Sequence, residues 1–320
     1  MQWCNLPDPL VVIVGPTAVG KTDAALRLAE ALNAEIVSAD SRLFYRGMDI
    51  GTAKPSLAER QRVPHHLIDV CNPDETWSLP VFQQAAKEAI DGIYSRGRLP
   101  LLVGGTGQYV RAVIEGWESP AQEADVRMRR VLERWAAEIG PVELHRRLAV
   151  LDPVAAGRIL PGNIRRTIRA LEVIFSTGKR FNDQRTKRGS AYSLLIVGLR
   201  RPRSEVYARV DARIDQMVAN GLLAEVRGLL VRGYSAQLPS MSAIGYREMV
   251  AVLEERMTLA DAVVSMKSLT HQYVRRQANW FKESDPSIHW FDAGTDCLDA
   301  MVRLIHSCAD WIPRESGTAA

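Results

Sequence analysis

Short apolar runs alternate with amphipathic segments along the first third of the chain. The runs at residues 10–14, 34–38 and 99–103 are rich in aliphatic side chains and predict buried strands. Between them, apolar positions recur at helical spacing and predict helices at 21–32 and 79–95. Strands that alternate with helices in this way are typical of an α/β fold, with a parallel sheet covered by helices on both faces.

The pattern changes near residue 119. Residues 119–190 show helical periodicity and turns but no clear strand, and the apolar run at 192–199 predicts another strand. A helix is expected from near Pro202, and further helices are expected up to about Cys308. The predicted organisation is an α/β core whose first part covers 8–118, a mostly helical insertion at 119–190, and a second core part with C-terminal helices at 191–312.

A glycine-rich loop follows the first predicted strand. The sequence GPTAVGKT fits the pattern G-x-x-x-x-G-K-[ST] of P-loop proteins, most of which bind ATP or GTP. The N–H groups of such a loop turn towards a phosphate, and the N-terminus of the next helix adds partial positive charge. The Thr22 hydroxyl is placed to ligate Mg²⁺. Polyphosphate binding is therefore predicted for Gly15, Pro16, Thr17, Ala18, Val19, Gly20, Lys21 and Thr22.

The acid with which a nucleotide hydrolase holds its Mg²⁺ shell is missing from the expected position. The apolar run at 99–103 ends in Gly and Thr instead of an acidic residue. Asp40 follows the second predicted strand, where a carboxylate can accept a proton from a bound acceptor. This layout favours group transfer over ATP hydrolysis. The alternative for Asp40 is a turn or helix-cap role.

Composition narrows the class of protein. The chain has 320 residues, of which 47% are hydrophobic, and no apolar run reaches the roughly 18 residues of a membrane span. The first residues lack the basic and apolar regions of a signal peptide. The four cysteines have no zinc-site spacing. We therefore expect a cytoplasmic protein with free thiols and no membrane contact.

Positive charge is concentrated in one segment. The net charge is only +4, but Arg165 to Arg188 contains eight Lys or Arg residues against Glu172 and Asp183. Such a run is either a solvated surface or a contact for a nucleic-acid backbone. Composition by itself favours the solvated surface.

Seven motifs then occur in the order of a known family. They are GPTAVGKT, SADSRLFYRGMDIGTAKP (38–55), HHLID (65–69), GGTGQYVRA (104–112), RALEV (169–173), AIGYRE (243–248) and YVRRQANWF (273–281). Together they resemble the tRNA dimethylallyltransferase (tRNA isopentenyltransferase) family. The bacterial type is implied, because the C-terminal zinc finger of eukaryotic members has no counterpart here. The resemblance implies a P-loop NTPase-like core and transfer of a dimethylallyl group from dimethylallyl diphosphate to N6 of adenine 37 in tRNA, with Mg²⁺ as cofactor.

The resemblance also assigns roles to residues. It implies that Asp40 and Thr106 are catalytic, that the loop holds the diphosphate leaving group, and that Arg209 and Arg213 contact the diphosphate or the tRNA. A helix cap for Thr106 and a solvated face for the two arginines are the alternatives. We expect a monomer. The implied tRNA-binding residues are Asp40, Ser41, Arg42, Leu43, Thr106, Arg127, Arg165, Arg166, Thr167, Ile168, Arg169, Ser242, Ala243, Ile244, Gly245, Tyr246 and Arg247.

Three other functions remain open from the residues alone. A P-loop kinase for a small metabolite would use Asp40 equally well as a base, and a prenyl transferase for free adenine nucleotides would use the same loop. Neither needs the basic segment from Arg165 to Arg188. A non-catalytic RNA-binding module would need that segment but not an intact phosphate loop followed by Asp40.

Overall fold

A six-stranded parallel sheet forms the centre of the fold in this computed structural model, which describes residues 6–117, 126–184, 188–307 and 311–312. The strands lie in the order β3-β2-β4-β1-β5-β6, and each neighbouring pair is parallel. The α/β class expected from the sequence is thereby confirmed. The strands are β1 (Pro9–Val14), β2 (Ala34–Ser38), β3 (His65–His66), β4 (Leu99–Val103), β5 (Ser193–Arg200) and β6 (Ile288–Asp292).

Twelve α-helices are found in the described ranges, and those predicted at 21–32 and 79–95 begin and end as expected. They are α1 (Lys21–Leu32), α2 (Leu57–Arg62), α3 (Leu79–Ser95), α4 (Gly107–Ile114), α5 (Val126–Leu151), α6 (Pro153–Arg158), α7 (Ile164–Thr177), α8 (Arg203–Ala219), α9 (Leu222–Val231), α10 (Tyr246–Leu253), α11 (Leu259–Gln277) and α12 (Leu298–His306).

The core lies on both faces of the sheet because the central strands are apolar at every position. Leu10, Val12 and Val14 of β1 pack on one face, together with side chains of α3 and α8 to α11. Val11 and Ile13 pack on the other face against α1 and α12. All five side chains are fully buried. Strands buried on both faces are a property of parallel sheets that helices cover on each side.

The prediction that further helices continue the chain from the helix near Pro202 up to about Cys308 is wrong at β6. Ile288 to Asp292 pairs with β5 in register Ile196↔Ile288 to Arg200↔Asp292. The indole of Trp290 covers Gly198, where an added Cβ would lie 2.5 Å from the ring. This edge strand is short and only partly buried, so its pattern differs from that of the aliphatic central strands.

The chain divides into two units. The larger contains Met1–Ile114 and Ser190–Ala320, and the smaller contains Glu115–Gly189. In the smaller unit, α5, α6 and α7 pack around a separate apolar cluster that includes Leu144, Leu148 and Leu171. No helix within the described ranges is both long and apolar enough to span a membrane.

Candidate active site

The phosphate loop connects β1 to α1, and two glycines determine its path. Gly15 has φ +146°, and a Cβ there would lie 2.6 Å from the carbonyl oxygen of Leu199 in β5. Gly20, immediately before α1, has φ +115°. Both positions need the conformational freedom of glycine. The first N–H groups of α1 are thus exposed at the end of the loop, where an anion binds favourably.

Lys21 lies on the inner side of this loop. Its Nζ donates hydrogen bonds to the carbonyl oxygens of Gly15 (3.0 Å) and Pro16 (2.8 Å). Burial lowers the pKa of Lys21 to about 8, an effect that the Asp40 carboxylate opposes and Arg213 reinforces. The ammonium group is therefore poorly solvated, and it lies close enough to Asp40 and Arg213 to interact with both.

Asp40 lies just beyond the carboxyl end of β2. Its N–H donates to Ser38 Oγ at 3.3 Å, and its Oδ1 accepts from the Arg42 N–H at 3.0 Å. The second bond is an Asx turn, so the turn role considered as an alternative is present in the structure. It does not occupy Oδ2, which accepts no hydrogen bond from the described residues. One carboxylate oxygen therefore fixes the side chain and leaves the other for chemistry.

Arg209 and Arg213 of α8 both approach the phosphate loop. Arg209 Nε donates to the carbonyl oxygen of Ala18 at 2.8 Å. Arg213 is buried enough that desolvation lowers its pKa, while the charge of Asp40 acts in the opposite direction. A guanidinium group keeps its charge even so. The structure thus places both arginines beside the loop, with Arg209 exposed to solvent and Arg213 half-buried.

Thr106 lies between β4 and α4. Its Oγ1 is buried and makes no hydrogen bond of standard geometry, so the side chain does not cap the helix. The phenol of Tyr273 from α11 lies next to it; burial raises the pKa of Tyr273, and the charge of Asp40 adds to this effect. A hydroxyl can both donate and accept, so Thr106 beside this phenol keeps hydrogen-bonding capacity for a ligand.

Sequence analysis missed two residues of this site, Tyr273 and Gln277. Gln277 Oε1 accepts from the Thr17 N–H at 2.8 Å, and its Nε2 donates to the Gly105 carbonyl oxygen at 2.8 Å. Both residues lie in the motif YVRRQANWF, which sequence analysis used only for the resemblance. Tyr273 and Gln277 are four positions apart and share one face of α11, which was the available signal.

A cavity of about 360 Å³ adjoins the loop beside Gly15, Pro16 and Gly105. Apolar side chains of α8, α11 and β6, and of the loop after α11, form part of its wall. Arg201 and Arg275 add positive charge to the lining. These apolar residues are Val206, Val274, Phe281 and Trp290.

The two segments of the larger unit that are expected to bind tRNA lie next to each other. Arg42 Nη1 lies 3.4 Å from the carbonyl oxygen of Pro239, just before the second segment. Ser41, Arg42 and Leu43 are half-buried, as is Ile244, whereas Ser242 and Arg247 are exposed. The other members, Ala243, Gly245 and Tyr246, are buried. Tyr246 donates a hydrogen bond from its hydroxyl to Glu225 Oε1 at 2.6 Å, so its side chain supports the segment from within.

The corresponding residues of the smaller unit also separate by exposure. Arg127, Arg165 and Arg166 are exposed. Arg169 Nη1 donates to the buried carboxylate of Glu172 at 3.2 Å. Thr167 and Ile168 are buried in α7. Arg185 and Lys187, which belong to the basic segment, lie outside the described residues.

The donor set suits a metal that takes few protein ligands. Within the described ranges, no three His, Cys, Asp or Glu side chains are grouped closely enough to hold an ion. Thr22 is exposed in the first turn of α1, at the anion end of the loop. Mg²⁺ characteristically keeps several waters and binds phosphate oxygens with one or two protein ligands. These residues fit Mg²⁺ bound together with a diphosphate.

The fold and the phosphate loop define a class of protein: an α/β enzyme with a P-loop that transfers a group to an acceptor. Residues 43–284 match the family model described as IPP transferase. The chain therefore belongs to the IPP transferase family, a family of prenyl transferases, and the resemblance inferred from the motifs is confirmed.

Named relatives and solved structures agree with this assignment. The chain is 54% identical over 274 residues to a tRNA dimethylallyltransferase of Roseiflexus sp. (strain RS-1), covering 86% of this chain and 90% of that protein. It is similar to the crystal structure of a tRNA isopentenylpyrophosphate transferase from Bacillus halodurans, with 44% identity, TM-score 0.69 and coverage of 94% and 95%. It is also similar to a eukaryotic dimethylallyltransferase acting on tRNA, with 27% identity, TM-score 0.78 and coverage of 93% and 78%.

Proposed function

We propose that this chain transfers the dimethylallyl group of dimethylallyl diphosphate to N6 of adenine 37, next to the anticodon in tRNA. The products are N6-isopentenyladenosine and diphosphate. One observation carries the proposal beyond family membership: Lys21 Nζ lies against Gly105, and the neighbouring Gly104 packs against Ala39, the residue before Asp40. A cationic cradle for a leaving group and a candidate base are thus parts of one site.

The chemistry requires help at both ends of the forming bond. The lone pair of the adenine amine is conjugated with the ring, which makes the nitrogen a weak nucleophile. As the C–N bond forms and the allylic C–O bond breaks, the nitrogen loses a proton, which Asp40 Oδ2 would accept. The Asx turn to Arg42 keeps this carboxylate oriented.

The leaving diphosphate gains negative charge as the C–O bond breaks. The loop N–H groups, Lys21, Arg209 and Arg213 would stabilise that charge. Thr22 would hold Mg²⁺, which supplies further positive charge against the diphosphate oxygens when bound. The apolar walls of the 360 Å³ cavity suit the hydrocarbon part of an allylic donor.

The adenine must leave its stack to reach Asp40. Unstacking costs a few kcal/mol and costs least in a single-stranded loop, which favours an anticodon loop over a duplex. The buried Oγ1 of Thr106 can then complete its hydrogen bonding with the base or with a diphosphate oxygen. Exposed Arg165 and Arg166 of the smaller unit would contact the tRNA backbone.

The proposal is tested by analysing tRNA nucleosides by mass spectrometry. Unmodified tRNA is incubated with the protein, dimethylallyl diphosphate and Mg²⁺, and the expected product is N6-isopentenyladenosine at position 37. Free AMP and ADP serve as competing acceptors and should remain unmodified. ADP release from ATP without prenylated tRNA would contradict the proposal and indicate a kinase.

A further inference from the structure

A single buried glutamine connects the phosphate loop to the loop after β4. Gln277, in the last turn of α11, is only 6% exposed. Its side-chain oxygen accepts from the Thr17 N–H, and its side-chain nitrogen donates to the Gly105 carbonyl oxygen, both at 2.8 Å. The partners are 260 and 172 positions away in the sequence.

The two backbone partners fix which way the amide faces. The Thr17 N–H can only donate, and the Gly105 carbonyl can only accept. Rotating the amide by half a turn would oppose donor to donor and acceptor to acceptor. The amide of Gln277 therefore presents its oxygen to the phosphate loop. This orientation follows from chemistry and does not depend on distinguishing nitrogen from oxygen.

The amide is closely packed on the side of Gly105, and Gln277 also lines the 360 Å³ cavity. A Cβ on Gly105 would lie 2.4 Å from Gln277 Nε2 and 3.4 Å from Lys21 Nζ. The amide, Lys21 and the Gly105 backbone thus pack together on one side of the start of the loop. Lys21 Nζ already lies on this side, since it donates to Gly15 and Pro16.

The bound amide limits the length of phosphate chain that the loop accepts. A diphosphate can use the N–H groups at the start of α1 and the ammonium of Lys21. A third phosphoryl group that extended past Lys21 towards the start of the loop would need the Thr17 N–H. That donor is already used, and the partial negative charge of Gln277 Oε1 would face the phosphate oxygens.

We propose that Gln277 is a specificity-determining residue that restricts the phosphate loop to two phosphoryl groups and excludes triphosphates. It does so by occupying the Thr17 N–H and the adjacent volume. The inference rests on the proposed function, since it assumes that the loop holds a diphosphate. It explains how a complete P-loop motif can discriminate against ATP, although most P-loops bind ATP or GTP.

Calorimetric titration with inorganic pyrophosphate and with tripolyphosphate, in the presence of Mg²⁺, tests this inference. The wild-type protein should bind pyrophosphate more tightly than tripolyphosphate. Gln277→Ala removes the acceptor and the volume, so the ratio of the two affinities should shift at least tenfold towards tripolyphosphate. Gln277→Leu removes the acceptor but keeps most of the volume, and a smaller shift is expected.

Gln272→Ala is the matched control, because Gln272 is an exposed glutamine on the same helix. Its affinity ratio should equal that of the wild type. An unchanged ratio in Gln277→Ala and Gln277→Leu, both still binding pyrophosphate, would overturn the inference, as would a wild type without preference. Loss of all binding in both folded variants would show a positioning role instead. Failure of the wild type to bind pyrophosphate would count against the proposed function itself.

Discussion

Asp40 combines a structural and a chemical role in one side chain. Its Oδ1 closes the turn to Arg42, and its Oδ2 is the oxygen proposed to accept the amine proton. Asparagine can keep the first role, because its side-chain carbonyl also accepts from the Arg42 N–H, but it is a very weak base. The two roles can therefore be separated by one substitution.

We expect Asp40→Asn to lower the single-turnover rate about 100-fold to 10,000-fold, the range typical of a lost general base. The affinity for tRNA should change little, because the turn is preserved. Rapid-quench measurement of prenylated tRNA and a filter-binding titration provide the two values. A variant with normal turnover would exclude Asp40 from the role of base.

Lys21 gives a second prediction at this scale, from its pKa of about 8. A diphosphate binds best to the protonated ammonium, so affinity should decrease as the pH rises through this pKa. Between pH 7 and pH 9 we expect a loss of about tenfold in pyrophosphate affinity beyond that of the control.

Lys21→Arg is that control, because arginine stays charged across this range. Both proteins are titrated calorimetrically with the same ligand, so ionisation of pyrophosphate affects them equally. Parallel pH profiles for the two proteins would show that Lys21 does not titrate in this interval.

Residues such as Asp40 and Lys21 could be proposed from sequence because their signals are local. Lys21 lies within a continuous motif, and Asp40 lies two positions after the end of a predicted strand. The spacing of Gln277 from Tyr273 indicated a shared helix face, but nothing near Gln277 specifies Thr17 as its partner 260 positions away. The position of the Tyr246 side chain could not be predicted either. Its motif indicated tRNA binding, and in the fold the side chain is buried and donates a hydrogen bond to Glu225.

At the scale of elements, α9 holds the loop before α2 through one carboxylate. Glu225 accepts from the N–H groups of Asp49 (2.9 Å), Ile50 (2.8 Å) and Gly51 (3.3 Å), and from the Tyr246 hydroxyl. Charge-assisted bonds of this kind are among the stronger ones in proteins. Gly51 is needed here, since a Cβ would lie 2.5 Å from the Tyr246 ring.

Glu225→Ala should lower the free energy of unfolding by about 2–4 kcal/mol, because several partly buried donors lose their acceptor together. Tyr246→Phe removes only one of the four bonds and should cost about 1 kcal/mol. Urea unfolding followed by circular dichroism measures both. Glu88→Ala, at an exposed position on α3, is the surface control. An equal loss of stability in Glu225→Ala and Glu88→Ala would show that the hydrogen bonds of Glu225 do not stabilise the fold.

Elements with strong periodicity were predicted well, and those that depend on a partner were not. The helices α1 and α3 and the strands β2 and β4 have the expected bounds, because their apolar spacing is regular. Strand β6 was missed because its segment, Ile-His-Trp-Phe-Asp, is stabilised by pairing with β5 and by the contact of Trp290 with Gly198. Pairings of this kind are tertiary contacts, so they produce no regular spacing of apolar residues in the sequence.

At the scale of the whole molecule, we expect the exposed positive charge of the smaller unit to contribute to tRNA binding. Arg165→Ala together with Arg166→Ala should weaken tRNA binding and reduce the steepness of its salt dependence by about 1.5 in log–log slope, as expected for two lost phosphate contacts. Binding is measured by filter retention across a range of KCl concentrations.

Arg146→Ala with Arg147→Ala is the matched control, since it removes the same charge from the same unit. Those two arginines already pair with Glu143. Equal changes in slope for the two double variants would assign the effect to net charge and would leave Arg165 and Arg166 without a specific contact.

The two ends of the smaller unit are in contact with each other. The Arg188 N–H donates to the Gly116 carbonyl oxygen at 3.1 Å, and a Cβ on Gly116 would lie 2.3 Å from the Gly189 carbonyl oxygen. The backbone that enters the smaller unit therefore contacts the backbone that leaves it. Because these ends meet, we expect a change in the length of the stretch between them to leave the pairing of β4 and β5 with β1 intact.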